Sequence, residues 1–307
     1  MAIKISLAKK PEQIDAIYRL RHQLLSKSRD HIDTHQLRCY LSDEERSLNR
    51  FDGYPTTSHL IVEDEKKVVG SLRLCVDSSV GLPANLVYNF REKIPHVSQA
   101  VSCDMYCVSK NYHNAKIAQG LILTASYIAA AQHATHLVAP INPAIAQLMQ
   151  KIGCNIIDKE IIDSASGLAI VPVILEIATL KDFFIDFVKR NQLTNFLGAF
   201  ECVFYEEGEY IIRAGEKGDC VYVMVDGEAN VIHPQKYRMI NTLKPGDVFG
   251  EIALLADGIS TANVVAKKSV RAMRLDKEAF MDYLLNNPEK AIAFMSQIGK
   301  QAKQISE

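Results

Sequence analysis

At 307 residues and 48% hydrophobic composition, the chain is long enough for two packed domains and too apolar to be mainly disordered. Its 35 basic and 36 acidic residues are well mixed and leave a formal charge of -1, which excludes a global field directed at nucleic acid or an anionic membrane. The apolar runs around 121–131 and 169–178 are too short or interrupted to span a bilayer, and the first residues do not form a signal peptide. Seven cysteines, an odd number without a CxxC pair, fit buried thiols in a reducing compartment, so a cytoplasmic protein is expected.

The first half alternates strands and helices. "AIKISLA" reads as a strand, and Pro11 opens a helix to Leu25 with Ile14, Ile17, Leu24 and Leu25 at helical spacing. A polar stretch, 26–57, has the length of a lid or a long connection. "SHLIVEDEKKVVGSLRLCV" then reads as an antiparallel hairpin about a charged turn. "AVSCDMYCVS" is a fourth strand, on which alternation predicts that Asp104 and Tyr106 share one face and that Cys103 and Cys107 share one face. "AKIAQGLILTASYIAAAQ" is a long helix and "ATHLVAPI" a fifth strand. "PAIAQLMQKIG" is a helix stopped by Gly153, and two strands follow near 154–162 and 168–177. The pairs His31 and His35, His133 and His136, and Cys103 and Cys107 lack further ligands, so no metal site is expected.

The rhythm changes near Leu180. "KDFFIDFVKRNQLTNFLGAF" is an amphipathic helical bridge, after which 203–275 reads as short strands separated by turn signals at "EEGE", "AGEKGD", "VDGEA" and "LKPGD". Two helices follow, "KEAFMDYLL" and "PEKAIAFMSQIGKQAKQ". In "FGEIALLADGISTANVV", Gly250 permits a close backbone approach, Glu251 can accept from a ribose hydroxyl, and the turn at Ile252, Ala253 and Leu254 presents N–H groups.

"FYEEGEYIIRAGEKGDCVYVMVDGEANV" and "LKPGDVFGEIALL" resemble the cyclic nucleotide-binding domain over about a hundred residues. The resemblance makes Gly215, Gly218, Gly227 and Gly246 the glycines that turn the strands of a β-roll. It also makes Gly250, Glu251, Ile252, Ala253, Ser260 and Thr261 the nucleotide-binding set, for cyclic AMP or cyclic GMP. Ser260 stands where that family has an arginine for the phosphate; an arginine–phosphate hydrogen bond is worth about 1.5–3 kcal/mol, roughly ten- to a hundred-fold in affinity. Arg271 and Arg274 are the nearest arginines that follow. The approximately 30 residues after the roll carry no basic recognition helix, so DNA is not expected as a partner.

"IYRLRHQLL", "RFDGY", "VVGSLRL" and "INPAIAQLMQKIGC" resemble the GCN5-related N-acyltransferase fold, and within it the autoinducer and N-acyl amino acid synthases. The resemblance implies substrate binding by Arg21, Asp52 and Arg73, acyl-donor binding by Val108, His113, Asn114, Lys116 and Ala118, and catalytic roles for Asp104 and Tyr106. The donor loop lacks the glycines of acetyl-CoA enzymes, and Met149 stands where those enzymes often carry a tyrosine. Ser102 and Met105 replace the glutamate and arginine of homoserine-lactone synthases. These departures favour a long-chain donor, acyl carrier protein or acyl-CoA.

The expected fold class is therefore an α+β acyltransferase-like domain, a mixed sheet flanked by helices, over 1–178. A helical bridge over 179–202 and an all-β roll with flanking helices over 203–307 complete it. The expected function is N-acyl transfer to an amine, regulated through the roll. The alternative is a non-catalytic acyl- or nucleotide-sensing scaffold in which the roll drives homo-oligomerisation.

Overall fold

The structure, a computed structural model, describes residues 3–27, 40–42, 45–95, 99–164, 167–180, 183–190, 198–255 and 258–289. The chain divides into two compact units, Ile5–Ile185 and Asp186–Glu307 together with Met1–Lys4.

The N-terminal part runs β1 (Ile3–Leu7), α1 (Pro11–Lys27), β2 (Tyr40–Ser42), β3 (Arg46–Leu48), β4 (Thr57–Asp64), β5 (Lys67–Val76), β6 (Ala100–Val108), α2 (Ala115–Ala131), β7 (His136–Ile141), α3 (Ala146–Ile152), β8 (Asn155–Ile156), β9 (Ile161–Ile162) and β10 (Ala169–Glu176). Helix α4 (Phe183–Arg190) follows. The sheet order is β1-β4-β5-β6-β7-β10-β8, with β9 also on β10. It is mixed: β4, β5 and β6 pair antiparallel, β6 and β7 parallel, β7 and β10 antiparallel. The charged turn of the β4–β5 hairpin is closed by Glu65 and Lys66 at φ 47 and 73, the two left-handed residues that a tight hairpin of matching twist requires.

Helix α1 buries Ile17, Leu20 and Arg21, one i, i+3, i+4 stripe that includes a fully buried guanidinium. Helix α2 is buried on most of its circumference from Ile117 to Ala129, which explains its low polarity. Asn114 caps it, its side chain accepting from the Ile117 N–H at 3.0 Å. The stretch expected as one polar connection contains the β2–β3 hairpin and a one-turn 3-10 helix at Arg50–Gly53; within that stretch, 28–39 and 43–44 lie outside the described residues, as do Cys39, His31 and His35. Leu82, Ala84, Phe90 and Ile94 form a second small core with Ala100, Val138 and Ile174, in a segment without a periodic pattern.

The C-terminal part comprises β11 (Glu201–Tyr205), β12 (Tyr210–Ile212), β13 (Cys220–Asp226), β14 (Ala229–Ile232), β15 (Met239–Leu243), β16 (Val248–Phe249), α5 (Glu251–Leu255), β17 (Asn263–Ala266), β18 (Val270–Asp276) and α6 (Lys277–Asn286). The strands β16-β13-β18-β11 form one face and β12-β17-β14-β15 the other. Between them lies a core of Val203, Tyr222, Met224, Leu243, Phe249, Val264 and Ala272, in which the Tyr222 and Phe249 rings stack 5.1 Å apart. Gly218 is not a turn glycine of the expected kind. Its constraint is space: a Cβ there would lie 2.3 Å from the Ala253 Cβ, so the absence of a side chain lets α5 pack against the segment that leads into β13. The second helix expected after the roll lies mostly outside the described residues.

Replacing Asn114 by Ala removes the α2 cap and is expected to cost about 1 kcal/mol of unfolding free energy, measured by chemical denaturation followed by far-UV circular dichroism.

Candidate functional site

Two groups of side chains stand out, one in each unit. The first begins with Arg73 on β5, directly opposite Asp104 on β6. Arg73 grips the carboxylate with two bonds, Nε to Oδ1 at 2.7 Å and Nη2 to Oδ2 at 2.9 Å. Its third nitrogen, Nη1, donates to Asn49 Oδ1 at 2.6 Å and lies 3.1 Å from Asp52 Oδ1. Asp52 also accepts from Arg21 Nη1 at 2.8 Å and, through Oδ2, from the Asn49 backbone N–H at 2.7 Å. Arg21, Asp52 and Arg73 are each 1% exposed at the side chain, while Asp104 keeps 15%.

The electrostatics close on themselves. Two arginines face two aspartates, and His59 completes the group with Nδ1 3.2 Å from Arg21 Nη2. Burial, and then the nearby Arg21 charge, push the His59 imidazole down to about 4, so it is neutral at physiological pH. Burial alone would raise the Asp52 carboxyl; Arg21 and Arg73 more than offset this and hold it below the usual range. Burial likewise opposes the Arg73 charge, but Asp104 and then Asp52 raise it above its ordinary value. Arg21 Nε is buried without a hydrogen-bond partner, as are the Ser47 and Ser71 hydroxyls. Phe51 lies beneath the group, its ring 5.7 Å from the Arg73 guanidinium carbon.

Sequence reasoning identified Arg21, Asp52, Arg73 and Asp104 but missed Asn49 and His59. Asn49 was legible as the start of an Asn-x-x-Asp capping box: its side chain accepts from the Phe51 N–H while Asp52 reaches back to its own N–H. His59, buried in the strand "SHLIV", carries no signal of its role in the local pattern.

The expectation that Asp104 and Tyr106 share a face does not hold. Between the pairs Arg73–Asp104 and Ser71–Cys107, β6 has three steps where β5 has two, and Met105 takes φ 50. This is a bulge, and it inverts the alternation that follows. Cys107, not Tyr106, therefore lies on the face of Asp104 and Arg73, and Cys103 and Cys107 fall on opposite faces. Tyr106 instead lies near the segment expected to meet the acyl donor, its ring 6.2 Å from that of His113. Burial pushes its hydroxyl up to about 12, so it keeps its proton at neutral pH. In that segment Val108 and Ala118 are buried, and His113, Asn114 and Lys116 are exposed around the start of α2.

Beside the bulge the sheet opens. The parallel ladder of β6 and β7 consists of Ala100–His136, Val101–Leu137 and Ser102–Val138. Both strands run on, β6 to Val108 and β7 to Ile141, without further ladder pairs between them.

In the second unit, a pocket is lined by Ile212, Val231, Leu243, Phe249 and other apolar side chains, together with Gly250, Glu251, Ile252, Ala253, Ser260 and Thr261. The whole nucleotide-binding set expected from sequence thus meets at one cavity. Gly250 takes φ 88, and a Cβ there would come 3.0 Å from the Cys220 carbonyl oxygen and 3.2 Å from the Tyr222 ring; the close approach it permits is to β13. The Ile252–Leu254 turn is part of helix α5. Glu251 is 3% exposed, its Oε2 has no hydrogen-bond partner, and burial pushes its carboxyl up to about 7. Ser260, 8% exposed, is held through its backbone to Glu216 and Gly215. Neither Arg271 nor Arg274 lines the pocket, and Arg274 is engaged by Glu201 at 2.6 Å and Asp219 at 3.4 Å.

A mixed sheet with helices, split along one parallel ladder, and a β-roll with a buried acid at its pocket define an acyltransferase-type domain joined to a nucleotide-binding-type domain. Comparison with known proteins agrees. Residues 16–175, more than half of the chain, match the family profile of the N-acyl amino acid synthase FeeM, and the chain belongs to that family. Residues 202–287 match the cyclic nucleotide-binding domain. The solved structure of FeeM, an N-acyl amino acid synthase from uncultured soil microbes, superposes with a TM-score of 0.48 and 15% identity, covering 57% of this chain and 91% of that one.

Curated relatives match over the roll. The cGMP-dependent protein kinase 2 of Homo sapiens is 34% identical over 97 residues, 30% of this chain and 13% of that one. The cGMP-dependent protein kinase egl-4 of Caenorhabditis elegans is 42% identical over 98 residues, again 30% and 13%. The cAMP-dependent protein kinase regulatory subunit of Schizosaccharomyces pombe is 32% identical over 120 residues, 37% and 29%. The chain thus spans between about an eighth and a third of the length of these relatives. Among the described residues, no helix is long and apolar enough to cross a membrane.

Two predictions follow from burial of charge. Arg73→Met leaves Asp104 and part of Asp52 uncompensated and is expected to destabilise by about 3–5 kcal/mol, whereas Arg73→Met combined with Asp104→Leu recovers much of the loss; denaturant titration of the three proteins checks this. Glu251 keeps its proton to about pH 7 in the native state but loses it near its ordinary 4.5 when unfolded. The native state therefore binds more protons across that window, and stability falls as pH rises through it. Glu251→Gln should raise the melting temperature at pH 8, through a gain of up to about 3 kcal/mol, and leave it nearly unchanged at pH 4.5.

Proposed function

We propose that the N-terminal unit transfers a long acyl chain from a pantetheine thioester, on acyl carrier protein or acyl-CoA, to the amine of an amino acid, and that the roll regulates this transfer through a nucleotide-type ligand. The observation that carries the reading is the geometry of β6. The strand parts from β7 after Ser102 and, just beyond, turns Asp104 and Tyr106 to opposite faces through the Met105 bulge. A gap between splayed strands suits a thioester arm that must approach a backbone while water is kept out.

In the reaction a neutral amine attacks the thioester carbonyl, the C–N bond forms, and collapse of the tetrahedral intermediate breaks the C–S bond. The nitrogen loses a proton and the departing sulfur gains one. Tyr106, held protonated by burial, is suited to donate to the oxyanion or the leaving sulfur. Asp104, the more accessible of the two acids in the buried quartet, lies on the opposite face from Tyr106 and is suited to orient the strand edge, the amine proton leaving to solvent. Its grip on Arg73 makes it an orienting group. Arg21, Asp52 and Arg73 form the rigid wall behind it. Val108, His113, Asn114, Lys116 and Ala118 border the donor's path at the start of α2.

The test is incubation of the protein with acyl carrier protein or coenzyme A thioesters of graded chain length and a mixture of amino acids, with mass spectrometry for the amide and a thiol assay for the released arm. Amide and thiol should appear in equal amounts. Tyr106→Phe should lower kcat by about a hundred-fold or more without altering the unfolding transition. No product from any donor and amine would leave the non-catalytic scaffold as the reading.

A further inference from the structure

We infer that the pocket of the β-roll takes an uncharged nucleoside, with its ribose diol on Glu251, in preference to a cyclic nucleotide. The inference rests on the reading of the roll as a ligand-binding domain and names the class of ligand.

The first observation is charge. Among the described residues, no lysine, arginine or histidine lines the pocket. The sequence reinforces this, since between Lys244 and Lys267 there is no basic residue at all, while Asp247, Glu251 and Asp257 are acidic. Three basic side chains of the neighbouring segments are engaged elsewhere. Arg213, whose segment passes Ser260, lies 3.9 Å over the Tyr210 ring. Lys267 and Lys268 both bind Glu228, at 2.9 and 2.6 Å. A cyclic phosphate carries a full negative charge, and here it would be buried beside an acidic side chain without a compensating cation.

The second observation is the orphaned acceptor. Glu251 is 3% exposed and its Oε2 has no hydrogen-bond partner. A buried carboxyl oxygen in that state calls for a donor, and none of the hydroxyls or amides of the pocket wall bonds to it. A vicinal diol supplies two O–H donors at the spacing of a carboxylate's oxygens. The apolar surface of Ile212, Val231, Leu243 and Phe249 leaves room for a flat heterocycle rather than for more charge. Ser260, in the place of a phosphate-binding arginine, is a neutral side chain suited to a ribose 5′-hydroxyl. A ligand with hydroxyls and a base but no phosphate satisfies Glu251 without burying an uncompensated anion beside it.

The experiment is isothermal titration calorimetry of the full chain, freed of co-purified ligand, with adenosine, guanosine, 2′-deoxyadenosine, cyclic AMP and cyclic GMP. Adenosine or guanosine should bind at least about ten-fold more tightly than its cyclic monophosphate, and loss of the 2′-hydroxyl or Glu251→Ala should each weaken binding by about ten-fold or more. Ser260→Arg should reverse the order and favour the cyclic nucleotide. Cyclic AMP or cyclic GMP binding the unaltered protein as tightly as the nucleosides would overturn the inference while leaving the roll a nucleotide receptor. Binding of none of the five, by either the unaltered protein or a folded Ser260→Arg variant, would overturn both the inference and the reading beneath it.

Discussion

The pairing of Arg73 with Asp104 and Asp52 is the constraint around which the N-terminal unit is arranged. Each nitrogen of the Arg73 guanidinium, 1% exposed, meets an acceptor, and the acceptors come from separate pieces of chain. Asp104 arrives on the adjacent strand, Asn49 and Asp52 on a single 3-10 turn, and Asp52 in turn engages Arg21 of helix α1. Helix, turn and two strands are thereby fixed in mutual register by a cluster whose charges cancel. Sliding any one of them would expose a partner to an unpaired charge, a penalty far larger than the net worth of the bonds themselves. The opened β6–β7 edge borders this rigid assembly.

The roll handles buried charge in the opposite way. Glu251 has no cation beside it in the pocket, and burial shifts its carboxyl towards neutrality. Native proteins seldom leave a buried polar atom without a partner, and each exception calls for an explanation. The N-terminal cluster thus pairs its charges among its own residues, whereas Glu251 is left without a charged partner.

Much of this was legible in the amino-acid order, and the reasons are local. The charged turn of the β4–β5 hairpin, the stop at Gly153 and the turn glycines Gly215, Gly227 and Gly246 of the roll are each decided by a few neighbouring residues. What escaped was decided at a distance. His59 looks like any alternating strand residue until α1 brings Arg21 beside it. Gly218 reads as a turn residue, yet its role is set by Ala253, which lies 35 positions further on. In "CDMYC" nothing tells which residue is the extra one, because an acid, a thioether, a phenol and a thiol can each stand on either side of a half-buried strand. The short 3-10 turns between β5 and β6 had no period to detect.

That extra residue also bears on how members of the family are to be compared. A strand has a parity, and Met105 changes it: positions up to Asp104 and positions from Tyr106 onward count from different origins. Two relatives aligned without a gap, one with the bulge and one without it, would agree in letters along β6 while pointing every side chain after it to opposite sides of the sheet. Correspondence of roles beyond Asp104 therefore has to be judged from hydrogen-bond register rather than from column position, and a one-residue insertion or deletion at Met105 would act as a frame shift in three dimensions.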